Sequence, residues 1–220
     1  MENERGQPYY FSYGEKEMQY LKKKDPVLGA VIDELGILKR AVIPDLYEAL
    51  LNSIAGQQIS SKALDTVWGR IQEKFAPLTP AHLAEISEEE LQGCGISMRK
   101  AHYMKEITDR ILDGSLNLSA FARMSDEQVT DVLIKLPGIG VWTAEMLLIF
   151  SMQRPNVLSY GDLAIQRGMR MVYHHKNITP ALFTKYKKRY TPYATVAGFY
   201  LWAAAGGAIG GMKDHAPKKK

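Results

Sequence analysis

Residues 125–152 read SDEQVTDVLIKLPGIGVWTAEMLLIFSM. Ser125, followed three positions later by Gln128, has the spacing of a capping box, in which a hydroxyl and a side-chain carbonyl each satisfy an orphan backbone N–H. Val129, Val132, Leu133 and Leu136 then recur at helical spacing. Pro137-Gly138 must end that helix, since proline has no N–H to give and glycine turns readily to positive φ. A second helix runs from about Val141 to Met152. The turn between them, Leu136-Pro137-Gly138-Ile139-Gly140, exposes the amides that open the second helix. Those amides and the helix dipole form an anion site that needs few side chains. Such a turn positions a phosphate without reading sequence. The same five residues also suit an ordinary loop between antiparallel helices.

Working outward, the pattern stays helical. Pro44-Asp45 opens a stripe of Leu46, Leu50 and Ile54. After Gly56-Gln57-Gln58 a second stripe runs Leu64, Val67, Trp68, Ile71 and Phe75. Trp68 on that stripe is assigned to core. Thr79-Pro80 and Ser87-Glu88-Glu89-Glu90 are further helix starts. Ala101, Met104, Ile107 and Ile111 mark a helix after Ser97 that Gly114 ends. Asp162 precedes a helix from Leu163 to Val172, and a helix pair spans about Pro180 to Ala205. Upstream, an aromatic arm (Tyr9 to Tyr13) leads into a helical segment from about Glu15 to Leu38. Gly206 to Gly211 reads as the flexible end of the ordered body. No alternating run approaches a sheet, and no internal repeat of 20 to 50 residues is present.

The chain has 220 residues, 46% hydrophobic, enough to bury a core, and a formal charge of +4. Its positive groups cluster at Lys22-Lys23-Lys24, at Lys185-Tyr186-Lys187-Lys188-Arg189 and at Lys218-Lys219-Lys220. Local basic patches suit a phosphate backbone, although each run alone equally suits a solvated helix face. Cys94 is the single cysteine, which excludes an intrachain disulfide, a zinc ribbon and a cysteine-ligated iron–sulfur cluster. His174-His175 are adjacent on a helix end and read as solvated surface groups, not metal ligands. The expectation is a soluble protein of a reducing compartment, with no membrane association.

Five segments carry a resemblance: Ala55-Gly56-Gln57-Gln58-Ile59-Ser60, Ile96-Ser97-Met98-Arg99-Lys100-Ala101, the hairpin, Tyr160-Gly161-Asp162 to Gly168, and Pro192 to Ala197 with Trp202. In this order the chain resembles the helix-hairpin-helix DNA glycosylases, within them the 3-methyladenine DNA glycosylase II branch and its short relatives that lack an N-terminal β domain. The resemblance implies an all-α fold of two helical lobes flanking a DNA-binding cleft. The expected organisation is an N-terminal arm and helix (1–43), a middle lobe (44–172) containing the helix-hairpin-helix at 126–152, and C-terminal helices with a basic tail (173–220).

By that resemblance Asp162 is the catalytic carboxylate. The chemistry fits, since breaking a purine–sugar bond builds positive charge on the deoxyribose and a fixed carboxylate stabilises it. Asp162 also suits a plain N-cap. Members that cleave the strand carry a lysine two positions past the hairpin; here that position is Trp142, which implies base excision without a Schiff base. Gln58 matches the wedge that fills the stack when a nucleotide is extruded. Trp142, Trp202, Tyr160 and Met146 match or adjoin a base pocket, where aromatic faces attract a cationic alkylated purine. Pro137, Gly138, Ile139 and Gly140 would dock phosphate. Carbonyls of Ile134, Leu136 and Ile139 would hold a structural Na+ or K+, with no other cofactor required. The implied partner is double-stranded DNA containing damaged bases, met by a monomer in the cytoplasm, at the nucleoid or in a nucleus. A non-enzymatic binding module and a glycosylase for oxidised bases remain as alternatives.

Overall fold

In a computed structural model that describes residues 8–217, the regular secondary structure is almost entirely helical. The helices are α1 (Glu15–Lys24), α2 (Pro26–Leu35), α3 (Leu46–Ala55), α4 (Ser61–Phe75), α5 (Pro80–Glu85), α6 (Glu88–Gln92), α7 (Met98–Leu112), α8 (Asp126–Leu133), α9 (Val141–Phe150), α10 (Leu163–Tyr173), α11 (Pro180–Tyr190) and α12 (Ala194–Ala205), with a 3-10 turn at Leu118–Arg123. Among the described residues the only β pairing is one bridge between Tyr10 and Ala41. Most helix starts are the expected ones: side chains of Asp45, Ser60, Thr79, Ser87, Ser97, Ser125 and Thr179 each accept an orphan amide of the following first turn.

The segment from Glu15 to Leu38 is two helices, not one. Asp25 breaks it, because its Oδ1 accepts the Leu28 N–H at 3.0 Å and Pro26 then takes the first helical position. Asp25 is fully buried, and its Oδ2 accepts Tyr173 Oη at 3.0 Å and Arg189 Nη1 at 2.8 Å. A buried charge paired and hydrogen-bonded in this way ties α2, α10 and α11 together. Burial pushes the Tyr173 phenol well up, keeping it a donor. Arg189, the last member of its basic run, is thereby committed inside the protein.

The chain divides into two compact units, one made of the described residues up to Val42 with those from Gln153 onward, the other of Ile43–Met152. In the first, α12 is buried on nearly every face and α10 packs along it. A Cβ on Gly168 would lie 2.1 Å from the Leu201 carbonyl oxygen, so only glycine lets these helices approach so closely. This contact corrects the expected boundary: residues 153–172 join the N-terminal and C-terminal segments and not the middle lobe. The aromatic arm lies on the same helix. Phe11 stands edge-on to Phe199 at 5.0 Å, Tyr200 Oη donates to Gly36 O at 2.9 Å, and Phe11 N donates to Arg40 O at 2.8 Å. Beyond α12, Gly206–Gly211 forms turns, and Arg170 binds both carboxylate oxygens of Asp214 at 2.7 Å, fixing the segment expected to be flexible. The Lys218 to Lys220 tail lies outside the described residues.

In the second unit, α3, α7 and α9 enclose the core, and Ile43 N donates to Phe150 O at 2.8 Å where the unit opens and closes. Trp68 is 8% exposed and belongs to this core. Tyr47 and the buried Thr108 share a 2.7 Å hydrogen bond, and burial pushes the Tyr47 phenol up to about 12.

Two glycines test these packing statements with opposite signs. Gly168→Ala is expected to lose at least about 2 kcal/mol through overpacking. Gly69→Ala, exposed in α4 with nothing within 4 Å of the added methyl, is expected to be stabilised, by about 0.5–1 kcal/mol. Urea denaturation of both variants against the parent measures this.

Candidate active site

The hairpin forms as the sequence requires. Ser125 and Gln128 close the capping box of α8, and Leu136 N donates to Leu133 O at 3.0 Å as the helix tightens and stops. Gly138 takes φ +76°, and a Cβ there would meet the Tyr103 ring at 2.6 Å. Glycine is therefore needed twice, for the turn and for the ring beneath it. Gly140 caps α9 with no side chain, so the helix presents first-turn amides that no capping side chain has claimed. That is the geometry a phosphate oxygen uses.

Facing the hairpin in the same unit is the joint between α3 and α4. Gln57 Nε2 donates to Gly138 O at 2.7 Å, so the joint and hairpin are directly bonded. Gln58 is exposed and takes φ +57°, a left-handed conformation that costs a non-glycine residue roughly 1–2 kcal/mol. Lys100, on the first turn of α7, donates to Ala55 O at 2.9 Å and Gln57 O at 2.7 Å. Burial, and secondarily the neighbouring Arg99 charge, lowers its pKa from the usual lysine value. Between joint and hairpin lies a depression of about 550 Å³ lined by Asn52, Ser53, Gln58, Gly138, Trp142 and Met146 among others. Trp142, in the first turn of α9, is 51% exposed.

In the other unit Asp162 is the N-cap of α10 and is 8% exposed. Its Oδ1 accepts the Ala164 N–H at 2.8 Å and the Ile165 N–H at 3.0 Å. Tyr160, two residues earlier, packs edge-on against Phe183 at 5.2 Å and donates from Oη to Ile178 O at 3.3 Å. Gln166 Nε2 donates back to Tyr160 O at 2.7 Å, closing the Tyr160-Gly161-Asp162 loop on its own helix. The preceding segment, residues 154–157, is anchored by the buried Thr195, whose Oγ1 accepts Val157 N at 2.9 Å and donates to Arg154 O at 2.6 Å. Trp202 is partly buried and stacks on Phe199 at 6.1 Å.

The chain thus carries a hairpin bonded to a glutamine joint and, further along, a buried aspartate that caps a helix. Residues 51–192 match the HhH-GPD superfamily base excision DNA repair protein model. The chain belongs to the HhH-GPD superfamily of base excision DNA repair proteins. DNA-3-methyladenine glycosylase 1 of Schizosaccharomyces pombe is 34% identical over 161 residues, 71% of either chain. The solved structure of a DNA-3-methyladenine glycosidase from Bacillus halodurans superposes with a TM-score of 0.80 at 33% identity, covering 90% of this chain and 93% of that one. The S. pombe 3-methyladenine DNA glycosylase in complex with abasic DNA gives 0.77 at 28% identity, covering 91% and 100%.

Within this HhH-GPD chain, the structure gathers Gln58, Gly138, Trp142 and Met146 around one depression, and places Asp162 beside Tyr160 on one loop. Trp202 lies on α12, in the same unit as Asp162. Asn52, Ser53 and Thr143 also line the depression and were not singled out from sequence, because small polar residues inside a helix carry no pattern. Tyr103 and the bonds made by Lys100 were likewise missed, although Lys100 lies within a segment that carries the resemblance. The two histidines are not simply solvated: His175 Nε2 bonds Tyr186 Oη at 2.8 Å, and His174, at φ +57°, lies against His215 at 4.7 Å. Among the described residues no cluster of three or more His, Cys, Asp or Glu could hold a metal, and no helix is long and apolar enough to cross a membrane.

Gly138→Ala is expected to weaken binding to duplex DNA about tenfold, the equivalent of roughly 1–2 kcal/mol of left-handed strain. Because backbone contacts carry no sequence information, the loss is the same on damaged and undamaged duplexes, as fluorescence anisotropy will show.

Proposed function

We propose that this chain is a monofunctional DNA glycosylase that extrudes alkylated purines such as 3-methyladenine and 7-methylguanine from duplex DNA and excises them, leaving an abasic site. The observation that carries the reading is Asp162: a buried carboxylate fixed through one oxygen by two amides of α10. An N-alkylated purine already bears positive charge, so when the C1′–N bond breaks the base leaves neutral and the charge passes to the sugar. The carboxylate stabilises that developing cation and orients the water that adds to C1′. Such a leaving group needs little further activation, and exposed Trp142 supplies an aromatic face suited to a cationic base, worth on the order of 1 kcal/mol. Relatives named as 3-methyladenine glycosylases support the substrate class.

Gln58 serves in this reading as the wedge, and Tyr160, Trp202 and Met146 complete the base-binding surfaces. With Trp142 where a lyase would carry its amine, strand cleavage is not expected. The carbonyls of Ile134, Leu136 and Ile139 would hold a Na+ or K+ behind the phosphate. These donors fit one, being neutral oxygens of a non-helical turn in which Ile139 N reaches Leu136 O at a long 3.2 Å. The enzyme acts as a monomer wherever the cell keeps its DNA.

Single-turnover release of methylated base from duplex DNA tests the reading. The parent is expected to release base, with strand breaks appearing only after alkali. Asp162→Asn keeps an N-cap acceptor and hence the unfolding midpoint, while release falls on the order of a hundredfold or more, as for loss of one preorganised electrostatic group. Tight binding without release by the parent would leave only a DNA-binding module; breaks without alkali would make it a lyase.

A further inference from the structure

Helix α3 ends at Ala55 with carbonyls that no intrahelical amide can reach. A single ammonium from another helix collects them: Lys100 Nζ bonds Ala55 O at 2.9 Å and, beyond the helix, Gln57 O at 2.7 Å. The next residue is the strained, exposed Gln58. The Gln57 side chain meanwhile bonds Gly138 O at 2.7 Å, and Tyr103, one turn beyond Lys100 on the same face of α7, packs beneath Gly138. One helix face therefore braces both the joint and the hairpin.

We propose that Lys100 is a positioning residue for base extrusion, its ammonium clamping the Gln57 carbonyl so that Gln58 is held ready to enter the DNA stack in register with the hairpin. Lysine suits the task because its compact ammonium carries three rotatable donors, enough to bridge two carbonyls at different angles. The proposal rests on the glycosylase reading and on Gln58 as its wedge. A clamp on the wedge matters only where a stack must be opened and refilled. A merely structural lysine would affect every substrate alike.

The test uses single-turnover release of 7-methylguanine from two oligonucleotide duplexes, one with the lesion paired to cytosine and one with it unpaired in a single-nucleotide bulge. Lys100→Met keeps the aliphatic stem and removes the donors. It is expected to slow release from the paired duplex by about tenfold or more, as loss of charge-assisted hydrogen bonds implies, and to leave release from the bulge nearly unchanged. In a Gln58→Ala background the same substitution should cost little further. Lys100→Gln, neutral but still polar, should show the same split and carries the test if Lys100→Met does not fold. Equal slowing on both duplexes, or full additivity with Gln58→Ala, would overturn the proposal alone. No release by the parent from either duplex would overturn the glycosylase reading and the proposal with it.

Discussion

Two hydrogen bonds, from the first turn of α10 to one oxygen of Asp162, are the constraint that the packing of the first unit serves. They hold the buried carboxylate in place, and they can do so only if α10 itself is fixed. The Gly168 contact with Leu201 seats α10 on α12. The buried Asp25, bonded to Tyr173 and Arg189, holds its far end. Thr195 anchors the chain entering the Asp162 loop. Each device lies away from the carboxylate, and each limits where it can sit.

The second unit solves a different problem with the same economy of parts. A phosphate site made of backbone amides needs a rigid turn, and the turn needs Gly138 twice over. The glutamine joint is bonded to that turn, and Lys100 holds the joint. In the proposed reading, positioning of the DNA backbone and opening of the base stack are coupled by contacts only a few residues deep. The aromatic face of Trp142 stands in the depression between them.

Much of this was legible in the sequence because the signals are local. Ser125-Asp126-Glu127-Gln128, Ser87 to Glu90 and Thr79-Pro80 each specify a helix start within four residues, and each forms. The Asp25-Pro26 break carried an equally local signal, a cap followed by proline, that the apolar spacing of Leu28, Val31, Ile32 and Leu35 obscured. The boundary after Met152 was not legible, since it depends on Gly168 meeting a carbonyl more than thirty residues away along the chain. Lys100 was visible as a residue but not as a clamp: a lysine bonding two carbonyls across helices leaves no periodic trace. Arg189 misled for the same reason, since a basic run does not reveal which member has a buried partner.

The central claim is that the charge of Asp162 stabilises a cationic sugar. The most direct measurement compares binding of the parent and Asp162→Asn to duplex DNA carrying either a protonated pyrrolidine or a neutral tetrahydrofuran in place of one deoxyribose, since a mimic of the transition state is bound more tightly than its neutral counterpart. The account predicts that the parent prefers the pyrrolidine by about tenfold or more, the equivalent of at least 1.4 kcal/mol, and that Asp162→Asn binds both alike. An undiminished preference in Asp162→Asn would contradict it and move the electrostatic role elsewhere.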